Sequence, residues 1–340
     1  MRRGLPGWWA TPLLGALGGW LASLANWPLP WMVGSLLAVI AARCSGWLVT
    51  EIPHARQAGQ WLVASGIGLH FTSEVMQQVL AHFGVILAGA FGTLLLSLIG
   101  IVILLRSGSD RATAFFASMP GGASEMVNLA SRHDAEPARV AAAHSLRLLL
   151  VVLIVPALFT WGLPPVAPPP PAAVNGFWLA VLLPAGMLLA LLWGKLGQPN
   201  PWMLGPLTVC AAASVTFDLH IGLPPGAGAL GQWLIGCSLA CHFDRPFFRS
   251  APAFLLRILL FTLLAMLVAA ALAKGLGGVT ALDAVSLMLG MMPGGITELC
   301  LTADALQLSV ALVTALQVLR LFLVMFLAEP LFRLWQRTMP

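Results

Sequence analysis

A hydroxyl followed at once by a carboxylate, two residues beyond Pro-Gly-Gly, occurs twice in this chain. Ser118-Met119-Pro120-Gly121-Gly122-Ala123-Ser124-Glu125-Met126 returns as Met291-Met292-Pro293-Gly294-Gly295-Ile296-Thr297-Glu298-Leu299, displaced by 173 residues. Each copy lies in an apolar stretch long enough to reach deep into a bilayer. Proline removes a backbone donor there, and the two glycines weaken a helix interior. Each stretch is therefore expected to break in mid-membrane, which is tolerated only where the freed N–H and C=O groups face protein or a watery cavity. A new half-helix begins after Gly122 and after Gly295, placing Ser124, Glu125, Thr297 and Glu298 in its first turn. First-turn N–H groups lack partners and carry partial positive charge, so each tip is an anion-binding surface. The glutamate either occupies that positive end as a cap or sits beside a bound ligand. An ionisable group at the bilayer centre costs about 2.5–3.5 kcal/mol and usually marks an ion, proton or substrate path.

Other polar residues repeat at the same spacing. Arg147 and Arg320 are matched in the apolar segments after the two breaks, with His144 and Gln317 one turn earlier. At about 1.5 Å per residue, Arg147 stands about 12 Å into its span and could snorkel to the cytoplasmic edge, whereas Arg320 stands about 18 Å in. A glutamate partner or an anionic substrate is the alternative. His144 and Gln317 fit a polar face turned towards the hairpin, while His70 and His242 fit hydrogen bonding at span ends. Asn128, Thr302 and Asp304 have no counterpart and could give the tips different ligand preferences. The expected substrate-binding set is thus Pro120, Gly121, Gly122, Ser124, Glu125, Asn128, His144 and Arg147, with Pro293, Gly294, Gly295, Thr297, Glu298, Thr302, Gln317 and Arg320. No catalytic group, metal ligand or cofactor is implied.

The elements that must carry these residues are membrane helices. Of 340 residues 59% are hydrophobic and 9% charged, against about 25% charged in a soluble domain. Long apolar runs recur from Thr11 to Leu331, so the first is read as a retained span and not a signal peptide. Spans are expected at 11–26, 30–47, 58–76, 82–105 and 140–160, with a broken hairpin at 112–131. A polyproline-prone linker follows (161–176, with Pro164-Pro165 and Pro168 to Pro171). The second half gives spans at 177–193, 202–217, 229–242, 252–273 and 308–328, with a broken hairpin at 281–305. The net charge of +5 resides in loops and helix ends, with no basic domain for nucleic acid. Of the five cysteines, Cys237 and Cys241 stand one turn apart beside His242, but apolar packing is the commoner use of such residues. Tryptophans such as Trp8, Trp9, Trp27, Trp47, Trp161 and Trp335 cluster near the ends of apolar runs, as interfacial anchors do.

The repeat extends beyond its centre. Pro30-Trp31-Met32-Val33-Gly34 matches Pro201-Trp202-Met203-Leu204-Gly205, and Gly59-Gln60-Trp61-Leu62 with His70-Phe71 matches Gly231-Gln232-Trp233-Leu234 with His242-Phe243. The chain is a duplication of two membrane repeats, 1–160 and 177–340. With Arg2 and Arg3 inside and the broken segments re-entrant, Arg43, Arg56, Arg106, Arg111, Arg132, Arg139, Lys195, Arg245, Arg249, Arg333 and Arg337 all fall on the cytoplasmic side, and Lys274 falls outside. The positive-inside rule thus favours five crossings plus one re-entrant segment per half, with inverted topology and the tips meeting near the midplane. The expected class is an all-α, multi-pass protein of the bacterial inner membrane with both termini cytoplasmic.

On the doubled Met-Pro-Gly-Gly-(Ala/Ile)-(Ser/Thr)-Glu pattern and the paired Pro-Trp-Met-x-Gly blocks, the chain resembles, over nearly its whole length, the AbrB-like duplicated bacterial membrane proteins. That family is also labelled an ammonia monooxygenase or a regulator, and is similar in architecture to inverted-repeat cation antiporters and anion symporters. The resemblance implies a secondary transporter for a small solute or anion, coupled to protons or sodium, and not an enzyme. Its expected partners are the lipid bilayer, the solute with its coupling ion, and a second copy in a homodimer. The alternative is a membrane-embedded regulator of gene expression acting indirectly, since the chain offers no DNA-binding module. Monooxygenase chemistry needs clustered imidazoles or carboxylates, and the seven histidines are scattered.

Overall fold

The computed structural model describes residues 9–164, 172–280 and 282–338. Arg2, Arg3, Trp8, most of the proline run and Ala281 lie outside the described residues. From the start run α1 (Ala10–Leu24), α2 (Pro30–Cys44), α3 (Ala55–Leu69) and the short α4 (Ser73–Ala81). Next come α5 (Phe83–Leu95) and α6 (Ser97–Leu105), then α7 (Arg111–Ser118) and α8 (Ala123–Arg132) on either side of the first break, and α9 (Pro137–Gly162). The second half repeats the series with α10 (Gly176–Lys195), α11 (Pro201–Phe217), α12 (Ala227–Ala240), the short α13 (Arg245–Ser250) and α14 (Pro252–Val279). The second break separates α15 (Ala284–Met291) from α16 (Ile296–Ala305), and α17 (Val310–Thr338) closes the chain. Apart from one isolated parallel bridge between Ala173 and Ile221, the regular structure among the described residues is helical.

Five stretches, Phe83–Leu105, Pro137–Gly162, Gly176–Lys195, Pro252–Val279 and Val310–Arg337, are long and apolar enough to cross a membrane. Others are shorter than the sequence suggests. The third helix stops at Leu69 instead of running to 76, because the chain turns at His70, whose Nδ1 lies 2.9 Å from the Gly66 carbonyl oxygen. His242 does the same at the end of α12, 3.2 Å from the Leu239 carbonyl oxygen. A 15-residue helix such as α3 is about 22 Å long, short of the ~30 Å hydrocarbon core.

The chain folds into two compact units, and each draws on both halves of the sequence. One contains Met1–Met76, Pro156–Ser250 and Ala305–Gln307; the other contains Gln77–Val155, Ala251–Asp304 and Leu308–Pro340. In the first, α1 packs on α2 and α10 on α11, while α12 touches α2 and α3, and α11 touches α3. The repeated Pro-Trp-Met-x-Gly block explains these junctions. Pro30 and Pro201 open their helices at N1, where a missing N–H costs nothing, after left-handed Leu29 and Asn200. Four residues on, the glycines allow backbones to meet: a Cβ at Gly34 would collide with the Gly18 carbonyl, and one at Gly205 would lie 2.7 Å from the Ala190 nitrogen. Arg43 pins the loop ends of this unit, donating to the Phe243 carbonyl at 3.1 Å and to that of Val49, and pairing with Asp244 at 3.4 Å. Cys237 packs here too, its Sγ 3.8 Å from the Thr11 carbonyl oxygen.

The second unit holds α5, α6, both broken hairpins, α14 and α17, with α9 up to Val155. It collects both Pro-Gly-Gly motifs.

Candidate functional site

Each break is built alike from residues spaced 173 apart. Proline forces the residue before it out of the helical region, and Met119 and Met292 are both extended, at ψ 136° and 143°. The arm before each break is opened by an aspartate cap that the sequence analysis did not single out. Asp110 accepts from the Thr113 amide at 2.7 Å, and Asp283 accepts from the amides of Val285 and Ser286 and from the Ser286 hydroxyl. The hydroxyl one turn in then fastens the start of the following helix: Thr113 Oγ1 accepts from the Glu136 amide at 2.8 Å, and Ser286 Oγ from the Ser309 amide at 3.0 Å. The arm after each break ends in a left-handed residue, Asp134 or Gln307. Extending the comparison of halves from the Pro-Gly-Gly motif to Asp110 and Asp283 would have revealed these positions.

The carbonyls freed by each break are taken up by a two-residue clamp on the long helix behind it. In the first repeat His144 Nε2 lies 3.0 Å from the Phe116 carbonyl oxygen, Arg147 Nη1 donates to the Met119 carbonyl at 3.0 Å, and Arg147 Nη2 lies 2.9 Å from His144 Nδ1. Arginine has only donors, so Nδ1 accepts and Nε2 carries the hydrogen. In the second repeat Gln317 Nε2 donates to the Gly290 carbonyl at 2.7 Å and the Met292 carbonyl at 3.3 Å, while its Oε1 accepts from Arg320 Nη2. Arg320 also donates to the carbonyls of Met292 at 2.9 Å and Gly294 at 2.7 Å. A neutral histidine and a glutamine thus do the same work, one donor for the chain and one acceptor for the arginine. The guanidinium groups also place positive charge at the negative C-terminal ends of α7 and α15.

This corrects the reading of the arginines. Arg147 does not snorkel to an edge: it is 6% exposed, Arg320 is 4% exposed, and the partners of both are carbonyls and a neutral side chain.

The glutamates lie on the opposite side of each break, over the start of the second arm. A Cβ at Gly122 would fall on the Glu125 carboxylate, and one at Gly295 on that of Glu298. Each second glycine is therefore the space into which its own carboxylate folds. Ser124 Oγ donates to Glu125 Oε2 at 3.2 Å. Placed over the first turn, the carboxylates stand at the positive ends of α8 and α16.

The tips also reach across the repeats. A Cβ at Gly121 would lie 2.8 Å from Val324 Cγ1, and one at Gly294 would lie 2.6 Å from Val151 Cγ1. Val151 and Val324 are themselves 173 apart, and each stands one turn beyond its arginine. Both tips and both arginines are accordingly brought together in one unit.

Exposure distinguishes the tips. Pro120 and Pro293 are buried, and the four glycines of the motifs are half-buried. On α8, Ser124 and Asn128 are exposed and Glu125 is half-buried. On α16, Thr297, Glu298 and Thr302 are 2%, 7% and 1% exposed. Thr302 donates to the Glu298 carbonyl at 2.8 Å, and Asp304 is half-buried near the end of the arm.

A family model described as transition state regulatory protein AbrB matches residues 8–336. The chain is 27% identical to the uncharacterized protein YhjN of Bacillus subtilis (strain 168), over 94% of this chain and 91% of that one. It is also 27% identical to a protein of Escherichia coli (strain K12) named "Putative regulator AbrB", over 87% of this chain and 86% of that one.

Proposed function

The chain belongs to the AbrB family, and on that premise we propose that it is a secondary transporter, not an enzyme, moving a small solute or anion through the inner membrane with proton or sodium coupling. The halves are inverted repeats, the broken segments are re-entrant, and the termini are cytoplasmic. One observation carries this reading: the two interrupted segments converge in one unit with their glutamates and arginines on opposite sides of the breaks. Irregular backbone at membrane depth belongs where it lines a cavity, and paired broken helices from two repeats form the substrate sites of many secondary transporters. A regulatory role, the word in the Escherichia coli relative's name, would act through what is transported.

The test is a thermal-shift screen of the purified chain against organic anions, amino acids and monovalent cations, repeated on Glu125→Gln and Glu298→Gln. The proposal expects at least one solute to stabilise the unaltered protein and to lose that effect in Glu298→Gln. A solute that stabilises all three proteins equally would place binding elsewhere and end this reading.

A further inference from the structure

We propose that the convergence of the two tips is a seat for a small monovalent anion, such as a monocarboxylate, and that the anion enters together with a monovalent cation. The proposal rests on the transporter reading for its place in a reaction, but not for the seat itself. Arg147 and Arg320 are both deeply buried. Their partners, backbone carbonyls with His144 and Gln317, fill donor positions but bring no formal negative charge. A buried guanidinium whose donors are not all taken up is satisfied by an anion at hydrogen-bond distance. A second observation is independent of charge. Arg320 Nε is a buried donor without a hydrogen-bond partner, and its guanidinium is held against the Pro293-Gly294 tip by the Gly294 carbonyl. An anion at this tip would supply the missing acceptor.

Charge balance then sets the companion. Two guanidinium groups are matched in number by the carboxylates of Glu125 and Glu298, which lie over the starts of α8 and α16. A monoanion added to that set leaves one uncompensated negative charge inside the membrane, which is costly. A proton or a sodium ion entering with it restores neutrality. Anion and cation thus enter as a pair in this proposal, and solution conditions distinguish which cation it is.

Bromide serves as the probe. Crystals of the full chain soaked in bromide are expected to show an anomalous peak at hydrogen-bond distance from Arg320 Nε. In detergent, bromide is expected to raise the melting temperature of the unaltered chain and of Arg43→Lys, a change in the compact unit that does not contain the breaks, but not of Arg320→Lys, which keeps the charge and loses the Nε donor. Either sodium in place of choline, or pH 6 in place of pH 8, is expected to tighten bromide binding at least about ten-fold by linkage. Peaks confined to other places, or equal stabilisation of Arg320→Lys, would overturn the seat. If Arg320→Lys does not fold, the anomalous peak decides alone. Binding indifferent to both sodium and pH would overturn the coupling. A bromide peak at Arg320 with no solute uptake by proteoliposomes would leave the seat standing and end the transporter reading instead.

Discussion

The two hairpins share a plan, yet one tip is open and the other closed. Around the first break Ser124 and Asn128 are exposed, whereas their matched positions Thr297 and Leu301 are buried. The anchoring differs in the same direction: Arg320 takes two carbonyls and a glutamine oxygen where Arg147 takes one carbonyl and a histidine nitrogen. Asp283 accepts three hydrogen bonds where Asp110 accepts one. The duplicated chain has thus kept the chemistry of the break in both copies and made the second tip the more fixed. In the transporter reading the first tip meets solvent while the second forms the floor of the site.

The largest test of this inequality is removal of the arginines. Arg320→Leu removes three hydrogen bonds, leaving the Gly294 carbonyl and Gln317 Oε1 without that donor and the Met292 carbonyl with Gln317 alone, whereas Arg147→Leu removes two, and each buried group left without its partner costs about 1–3 kcal/mol. Both variants are expected to lower the melting temperature in detergent, Arg320→Leu more; the reverse order would contradict the ranking of the two anchors. Next come the second glycines. Gly295→Ala pushes a buried carboxylate out of its space and is expected to cost about 1–3 kcal/mol, as overpacking does. The half-buried Glu125 can swing away from Gly122→Ala, so that variant should shift stability by only about 0.5 kcal/mol. Equal losses would mean that Glu298 is as free to move as Glu125. The caps rank third. Alanine at a capping aspartate costs about 0.5–2 kcal/mol, with Asp283→Ala expected near the top of that range and Asp110→Ala near the bottom. The smallest effect sharpens the likeness of the clamps. His144→Gln, which imports the second repeat's solution into the first, should change stability by no more than about 0.5 kcal/mol, while His144→Leu should cost clearly more. A His144→Gln protein as unstable as His144→Leu would show that the imidazole does something a glutamine cannot.

The positions of the breaks were legible because proline and glycine act locally: Pro120 and Pro293 dictate the extended residue before them wherever the helix goes. The family was legible from the same residues. Three things were not. The partners of Arg147 and Arg320 are carbonyls, and a carbonyl has no signature in a sequence, so the search for a charged partner pointed to a glutamate or a ligand. The grouping of helices from both halves into each compact unit depends on packing between segments more than a hundred residues apart, which periodicity does not encode. The closure of the second tip left only a faint trace, in that Ile296-Thr297-Glu298-Leu299-Cys300-Leu301 is more apolar than Ala123-Ser124-Glu125-Met126-Val127-Asn128.

The claim that the tips form the solute site is tested most directly by placing a single reactive thiol at the open one. In a cysteine-free background, Ser124→Cys is modified by a bulky, charged thiol reagent in proteoliposomes, and uptake of the most stabilising solute is followed. The account predicts that modification abolishes uptake and that bound solute slows the modification, whereas Thr297→Cys reacts far more slowly. Uptake that continues at its original rate with Ser124→Cys fully modified would contradict it.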